Sequence, residues 1–175
     1  MACNLSSGIQ LSCRESIGGL KYAYILDASG VEISVEETAG VASSISVDGT
    51  ALTDLSTDMF LFDQVKQTAS LVESVNASEE NGTVFYTSVL NLVFNKLEAT
   101  KLNSLKLLAA NSKLLIVVKD NNDKLWMVGN TNGAVVSGGS SESGTAMGDR
   151  NGLSIEFTGN HSAPMYEVTV TEVTE

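Results

Sequence analysis

Proline is almost missing from this chain: Pro164 is the only one in 175 residues. Proteins often blunt exposed strand edges with proline, and this chain can hardly use that device. Histidine is equally scarce. His161 stands alone, in a polar stretch beside Asn160 and Ser162, and reads as a surface-loop residue. One histidine and two cysteines, Cys3 and Cys13, neither in a CxxC unit, match no common zinc spacing, so no metal site is expected. The default state of the two cysteines is reduced, as in a cytosolic setting, with a Cys3–Cys13 staple as the alternative. Long apolar runs are missing too. The longest covers residues 114–118, far short of the ~18–20 that a membrane-crossing helix needs. The first five residues lack the basic-then-apolar pattern of a signal peptide, so neither export nor a membrane is expected. Basic residues are few, 10 Lys+Arg against 21 Asp+Glu, a net charge of −11. That balance excludes a protein that grips nucleic acid by neutralising phosphates.

What is present is enough for a core. The chain is 43% hydrophobic, and at this length a folded chain buries roughly 70% of the surface it exposes when unfolded. One domain spanning residues 1–175 is expected, and wholesale disorder is not. The charge is uneven. Residues 1–95 carry 3 basic and 12 acidic groups, residues 96–124 carry 6 and 3, and residues 125–175 carry 1 and 6. The middle block is an electropositive island in an acidic chain.

Strand signals dominate. Residues 20–26 form an apolar run stopped by the turn residues Asp27-Ala28-Ser29-Gly30, and residues 31–35 and 44–47 alternate cleanly. Residues 59–62 read as a further short strand. Residues 66–77 and 83–95 are long extended arms around Glu79-Glu80-Asn81-Gly82, and Asn-Gly is the preferred pair of a type I′ hairpin turn. One face of the second arm gathers Tyr86, Ser88, Leu90, Leu92 and Phe94. The other mixes Phe85, Val89 and Val93 with Thr87, Asn91 and Asn95, so both faces are expected to touch protein. Leucines then fall at helical spacing over about residues 96–111, the one helix expected. Residues 114–119 and 125–128 are strands around an Asp-Asn-Asn-Asp turn. Residues 129–150 are Gly/Ser-rich and read as a long loop. Two alternating strands, 153–158 and 166–171, close the pattern. The fold expected is mainly β, a sandwich or barrel with one flanking helix and a long β-hairpin. Residues 1–19 form an N-terminal arm.

No catalytic or cofactor motif emerges. The Asp120–Asp123 turn lacks the central Gly and distal Glu of a calcium-binding EF-hand loop. The glycines at 138–144 are followed by no Gly-Lys-Ser/Thr, so they do not form a phosphate-binding loop. No Gly-x-Ser-x-Gly elbow occurs. The expectation is therefore no enzyme, no cofactor and no metal. Trp126 is expected in the core or an interface rather than in a sugar site.

What remains is a chain rich in unblunted strand edges, and pairing between identical copies would cover them. The residues Cys3-Asn4-Leu5-Ser6-Ser7-Gly8 and Cys13-Arg14-Glu15-Ser16-Ile17-Gly18-Gly19-Leu20-Lys21 resemble the N-terminus of virion structural proteins of tailed phages, notably those infecting Bacteroidetes. The stretch Gly144-Thr145-Ala146-Met147-Gly148-Asp149-Arg150-Asn151-Gly152, with the strand that follows, is similar in the same way. In size and layout the chain resembles a tail tube protein. That resemblance implies a virion protein, made in the host cytoplasm, that assembles into stacked, hexameric rings. Other tail or connector proteins would be its partners, and DNA would pass through an anionic lumen without sequence-specific binding. A connector, terminator or decoration protein, or a monomeric carbohydrate-binding β-sandwich, is the alternative. The inter-subunit contact candidates are Val72, Asn81, Gly82, Tyr86, Val89 and Leu90 of the hairpin, Ile17 of the arm, and Met147 and Arg150 of the Gly/Ser-rich segment.

Overall fold

The computed structural model describes residues 8–9 and 14–170. Cys3 and Cys13, with any staple between them, lie outside the described residues. In chain order the elements are β1 (Leu20–Asp27), β2 (Ile33–Thr38), β3 (Val41–Val47), β4 (Thr50–Ala51), α1 (Leu55–Asp58), β5 (Phe60–Asp63), β6 (Ser70–Ser78), β7 (Thr83–Asn95), α2 (Ala99–Ala110), β8 (Leu114–Asp120), β9 (Leu125–Val128), β10 (Ala134–Glu142), β11 (Gly152–His161) and β12 (Tyr166–Val168). The protein is mainly β with a flanking helix, as its alternating runs predict.

The continuous run in β8 is explained by burial on both faces. Leu114, Ile116 and Val118 point to one core cluster, and Leu115 and Val117 to a second. On the first side, β10, β11, β7 and β6 form a sheet whose inner face carries Phe157, Ile155, Leu90 and Leu92. On the second side, β9, β12, β3 and β2 curl over so that Ile33, Ala42 and Ile45 meet Leu115, Val117 and Met127. β12 pairs antiparallel with β9 and parallel with β3. β8 also pairs with β1, whose other neighbour is β5.

Three expectations need correction. Residues 129–150 are not one loop: β10 runs through Ala134–Glu142 and pairs along β11. Its glycines serve close packing, since a Cβ on Gly139 would sit 2.7 Å from the Ser154 carbonyl oxygen. The hairpin turn is not a two-residue type I′ turn. Ser78 pairs with Thr83, leaving four residues between the strands, and of Asn81 and Gly82 only Gly82 has positive φ. The helix expected from residue 96 starts at Ala99, because Lys96 takes a left-handed φ of 65° and Glu98 is extended. A second, short helix, α1, was not anticipated. Asp54 caps it by accepting from Ser56 N at 2.9 Å, while Asp58 Oδ2 accepts from Thr53 N and Asp54 N.

Candidate functional site

The β6–β7 hairpin is the most exposed apolar element of the first sheet. Register places Leu71, Val75 and Ala77 of β6 on the same face as Leu90, Tyr86 and Val84 of β7. At the base this face is core: Leu90 is fully buried against the strand carrying Phe157. Towards the tip the same face runs past the core, so that Val75 is 63% and Val84 55% exposed. The opposite face shows Val72 and Phe85, also exposed. β6 ends the sheet and pairs with β7 alone, leaving its other edge unpaired among the described residues. A row of unpaired N–H and C=O groups flanked by apolar side chains is a template for another strand.

The candidates divide accordingly. Val72, Asn81 and Gly82 are exposed on the hairpin, and Tyr86 and Val89 are half-buried there. Leu90 is corrected from contact residue to core residue, because even-numbered β7 residues face inward once β11 covers them. Ile17 is elsewhere, exposed at the β8–β9 turn. Its backbone N–H donates to Asn122 Oδ1 and its carbonyl accepts from Asn122 Nδ2, both at 2.9 Å. Met147 and Arg150 lie in the β10–β11 turn. There Asp149 Oδ2 accepts from Thr145 N and Ala146 N, which hold its carboxyl below the usual range. Met147 is wholly exposed, whereas Arg150 is engaged by Glu142 at 2.6 Å. The turn and the hairpin tip lie at opposite ends of β7, since Gly152 pairs with Asn95 and Ser78 with Thr83. Sequence reading passed over Val75 and Val84. Their signal was apolar alternation continuing past the length that a core can cover.

No model of a known protein family matches this chain, and no curated protein matches it.

His161 is corrected from surface loop to core. It ends β11 on the inner face, 3% exposed, and its Nε2 lies 2.9 Å from Ser88 Oγ and 3.4 Å from Glu73 Oε1. The period-2 pattern Leu153, Ile155, Phe157, Gly159, His161 carried this signal. The three side chains resemble a Ser–His–acid set, but the order differs from a proton relay. Ser88 Oγ donates to Glu73 Oε1 at 3.3 Å and also lies 2.9 Å from His161 Nε2, in a contact whose direction follows the imidazole tautomer. The acid meets the same ring nitrogen as the serine instead of Nδ1, where a relay would place it. Nδ1 is buried with no partner among the described residues. Glu73 Oε1 also accepts from Met165 N at 2.8 Å. The cluster thus ties the edge strand β6 to β7, β11 and the segment before β12.

Burial holds the His161 imidazole below its ordinary value, while hydrogen bonding and charge from Glu73 pull it up by less. The folded state therefore binds that proton less readily than the unfolded chain does. The stability this contributes is present above the unfolded value near 6.5 and is lost as pH falls through the folded one. Acidification from about pH 7.5 to 5.5 should lower the denaturation midpoint more in the wild type than in His161→Gln. Equal shifts in the two proteins would show that His161 is not a source of the acid sensitivity.

The turn that anchors the arm is electrostatically closed. Partial burial pushes the Asp120 carboxyl up, but hydrogen bonds from Lys124 N, Trp126 Nε1 and Asn122 outweigh it and hold the group low. Trp126 is half-buried against the first core cluster and spends its N–H on Asp120, which fits packing better than sugar recognition.

Proposed function

We propose that this chain is a self-assembling structural subunit of a phage virion, a tail tube protein whose copies form stacked rings around a DNA conduit. The observation that supports it most is the hairpin: an edge strand uncovered among the described residues, with apolar residues on both faces, extending beyond the core. A monomer gains nothing from that arrangement, and a neighbouring copy covers it. The exposed turn carrying Met147 at the other end of the same sheet suits stacking along the strand direction. The charge of −11 per copy, repeated around a ring, gives a lumen that repels its cargo instead of retaining it. On this reading the protein is not an enzyme, needs no cofactor, resides in the virion, and meets other tail or connector proteins at the ends of the tube.

Light scattering on the purified chain, followed by negative-stain imaging, tests the reading. Rings or tubes many times the 18.4 kDa subunit mass are expected. A strict monomer at high concentration overturns it.

A further inference from the structure

Three Asn-Gly pairs occur in the chain, at residues 81–82, 132–133 and 151–152. Asparagine followed by glycine is the pair most open to reaction between side chain and backbone, because glycine has no side chain to obstruct approach to its nitrogen. The fold treats the three pairs differently. Asn132 is fastened: its Nδ2 donates to the Asn160 carbonyl at 2.9 Å, and the buried Gly133 donates its N–H to the Gly129 carbonyl at 2.7 Å. Asn151 is fastened as well. Its Oδ1 accepts from Leu97 N at 2.8 Å and its carbonyl from Lys96 N at 2.6 Å. Gly152 is buried between Asn95 and Glu142 in the sheet, where even a Cβ would run into the Phe94 carbonyl oxygen.

Asn81 and Gly82 are held by little. Both are exposed in the four-residue turn of the β6–β7 hairpin, and the Asn81 side chain has no hydrogen-bond partner among the described residues. Gly82 N–H donates to the Glu79 carbonyl at 3.3 Å, beyond the usual range of roughly 2.7–3.2 Å. A Cβ added at Gly82 would meet nothing within 4 Å, so the space around this backbone is open.

We propose that Asn81 is a site of spontaneous deamidation, set apart from Asn132 and Asn151 by the fold. The Gly82 backbone nitrogen attacks Asn81 Cγ, and the new N–C bond forms as the Cγ–Nδ2 bond breaks. Ammonia leaves with the proton from Gly82 N. Water then opens the succinimide ring at one carbonyl or the other, giving aspartate or isoaspartate. The net change takes up one water and releases one ammonium, and it needs no oxidant. The product sets a third consecutive negative charge after Glu79 and Glu80, and the isoaspartate form also lengthens the backbone inside the turn. The consequence for assembly rests on the self-assembly reading above: free copies age at the tip where a neighbour would meet them.

Full-length protein, held in warm and mildly alkaline buffer and then mapped by peptide mass, tests the site. The mass gain of amide-to-acid conversion should build up at Asn81 at least about tenfold faster than at Asn132 or Asn151. In denaturant, where the fold no longer shelters the other two, the three rates should converge to within about threefold. Comparable conversion at Asn132 or Asn151 in the folded protein, or the same gap persisting in denaturant, overturns the proposal. Assembly has its own readout. Fully aged wild type should lose about tenfold of its assembled mass by light scattering relative to fresh protein, while equally aged Asn81→Gln keeps its own. Aged wild type that assembles like fresh protein overturns the consequence and leaves the modification standing. Fresh wild type that is itself monomeric overturns the self-assembly reading, and the peptide masses still decide the site.

Discussion

Val72→Pro is expected to give a folded monomer with at least a tenfold loss of assembled particles. Val72 lies on β6, which among the described residues has a neighbour on one side only. Proline there removes one donor from the β6–β7 ladder, a loss that an edge strand bears better than a central one. The core beneath is untouched, since Val72 points to the exposed face. A melting temperature within a few degrees of wild type, measured beside the light-scattering mass, separates loss of assembly from loss of fold. Val72→Lys, which keeps the backbone N–H, should act in the same direction through charge on the edge. Proline at Val89 is the less informative change. β7 is flanked by β6 and β11, so a ladder bond must break and the whole sheet suffers. Val72→Pro assembling normally would remove the β6 edge from the contact.

Leu90→Ala separates the core half of the hairpin from its surface half. Leu90 is fully buried, opposite Leu71 on one side and Phe157 on the other. Truncation leaves a cavity in a close-packed cluster and should cost about 3 kcal/mol, within the 2–5 range for buried leucine. For a chain of this length that lowers the melting temperature by roughly 10 °C. The loss is one of stability, so particles formed at low temperature should keep their wild-type mass. A Leu90→Ala protein that melts like the wild type but fails to assemble would return Leu90 to the interface.

The strands were legible wherever one physical signal was undivided. β1 ends at the turn residues Asp27-Ala28-Ser29-Gly30, and the run 114–118 announces a strand buried on both faces, which is what β8 is. β10 was illegible because its glycines look like loop while serving a bulge and a close approach to β11. His161 was misread because its polar neighbours masked an alternation that continues from Leu153. The Ser88–Glu73 partnership that makes its burial tolerable joins positions far apart in the chain. Of the proposed assembly surface, the hairpin was readable from length and two-faced patterning. The exposure of Phe60, Leu61 and Leu107 was not: the first two look like ordinary strand residues, and the third like an ordinary helix residue. Only the three-dimensional arrangement shows that they are uncovered among the described residues.

The parallel pairing of β12 with β3 bears on the order of events during synthesis. Thr169 Oγ1 donates to Ala42 O across 127 positions of sequence, and β12 fills the gap between β3 and β9. A nascent polypeptide translated at about 5–20 residues per second exposes β6 and β7 many seconds before β12 can be threaded into place. So non-local a closure is slow to find. On the self-assembly reading, a hairpin able to capture a sister molecule therefore leaves the ribosome on a body still missing β12, and crowded polysomes would favour tangled, prematurely joined chains.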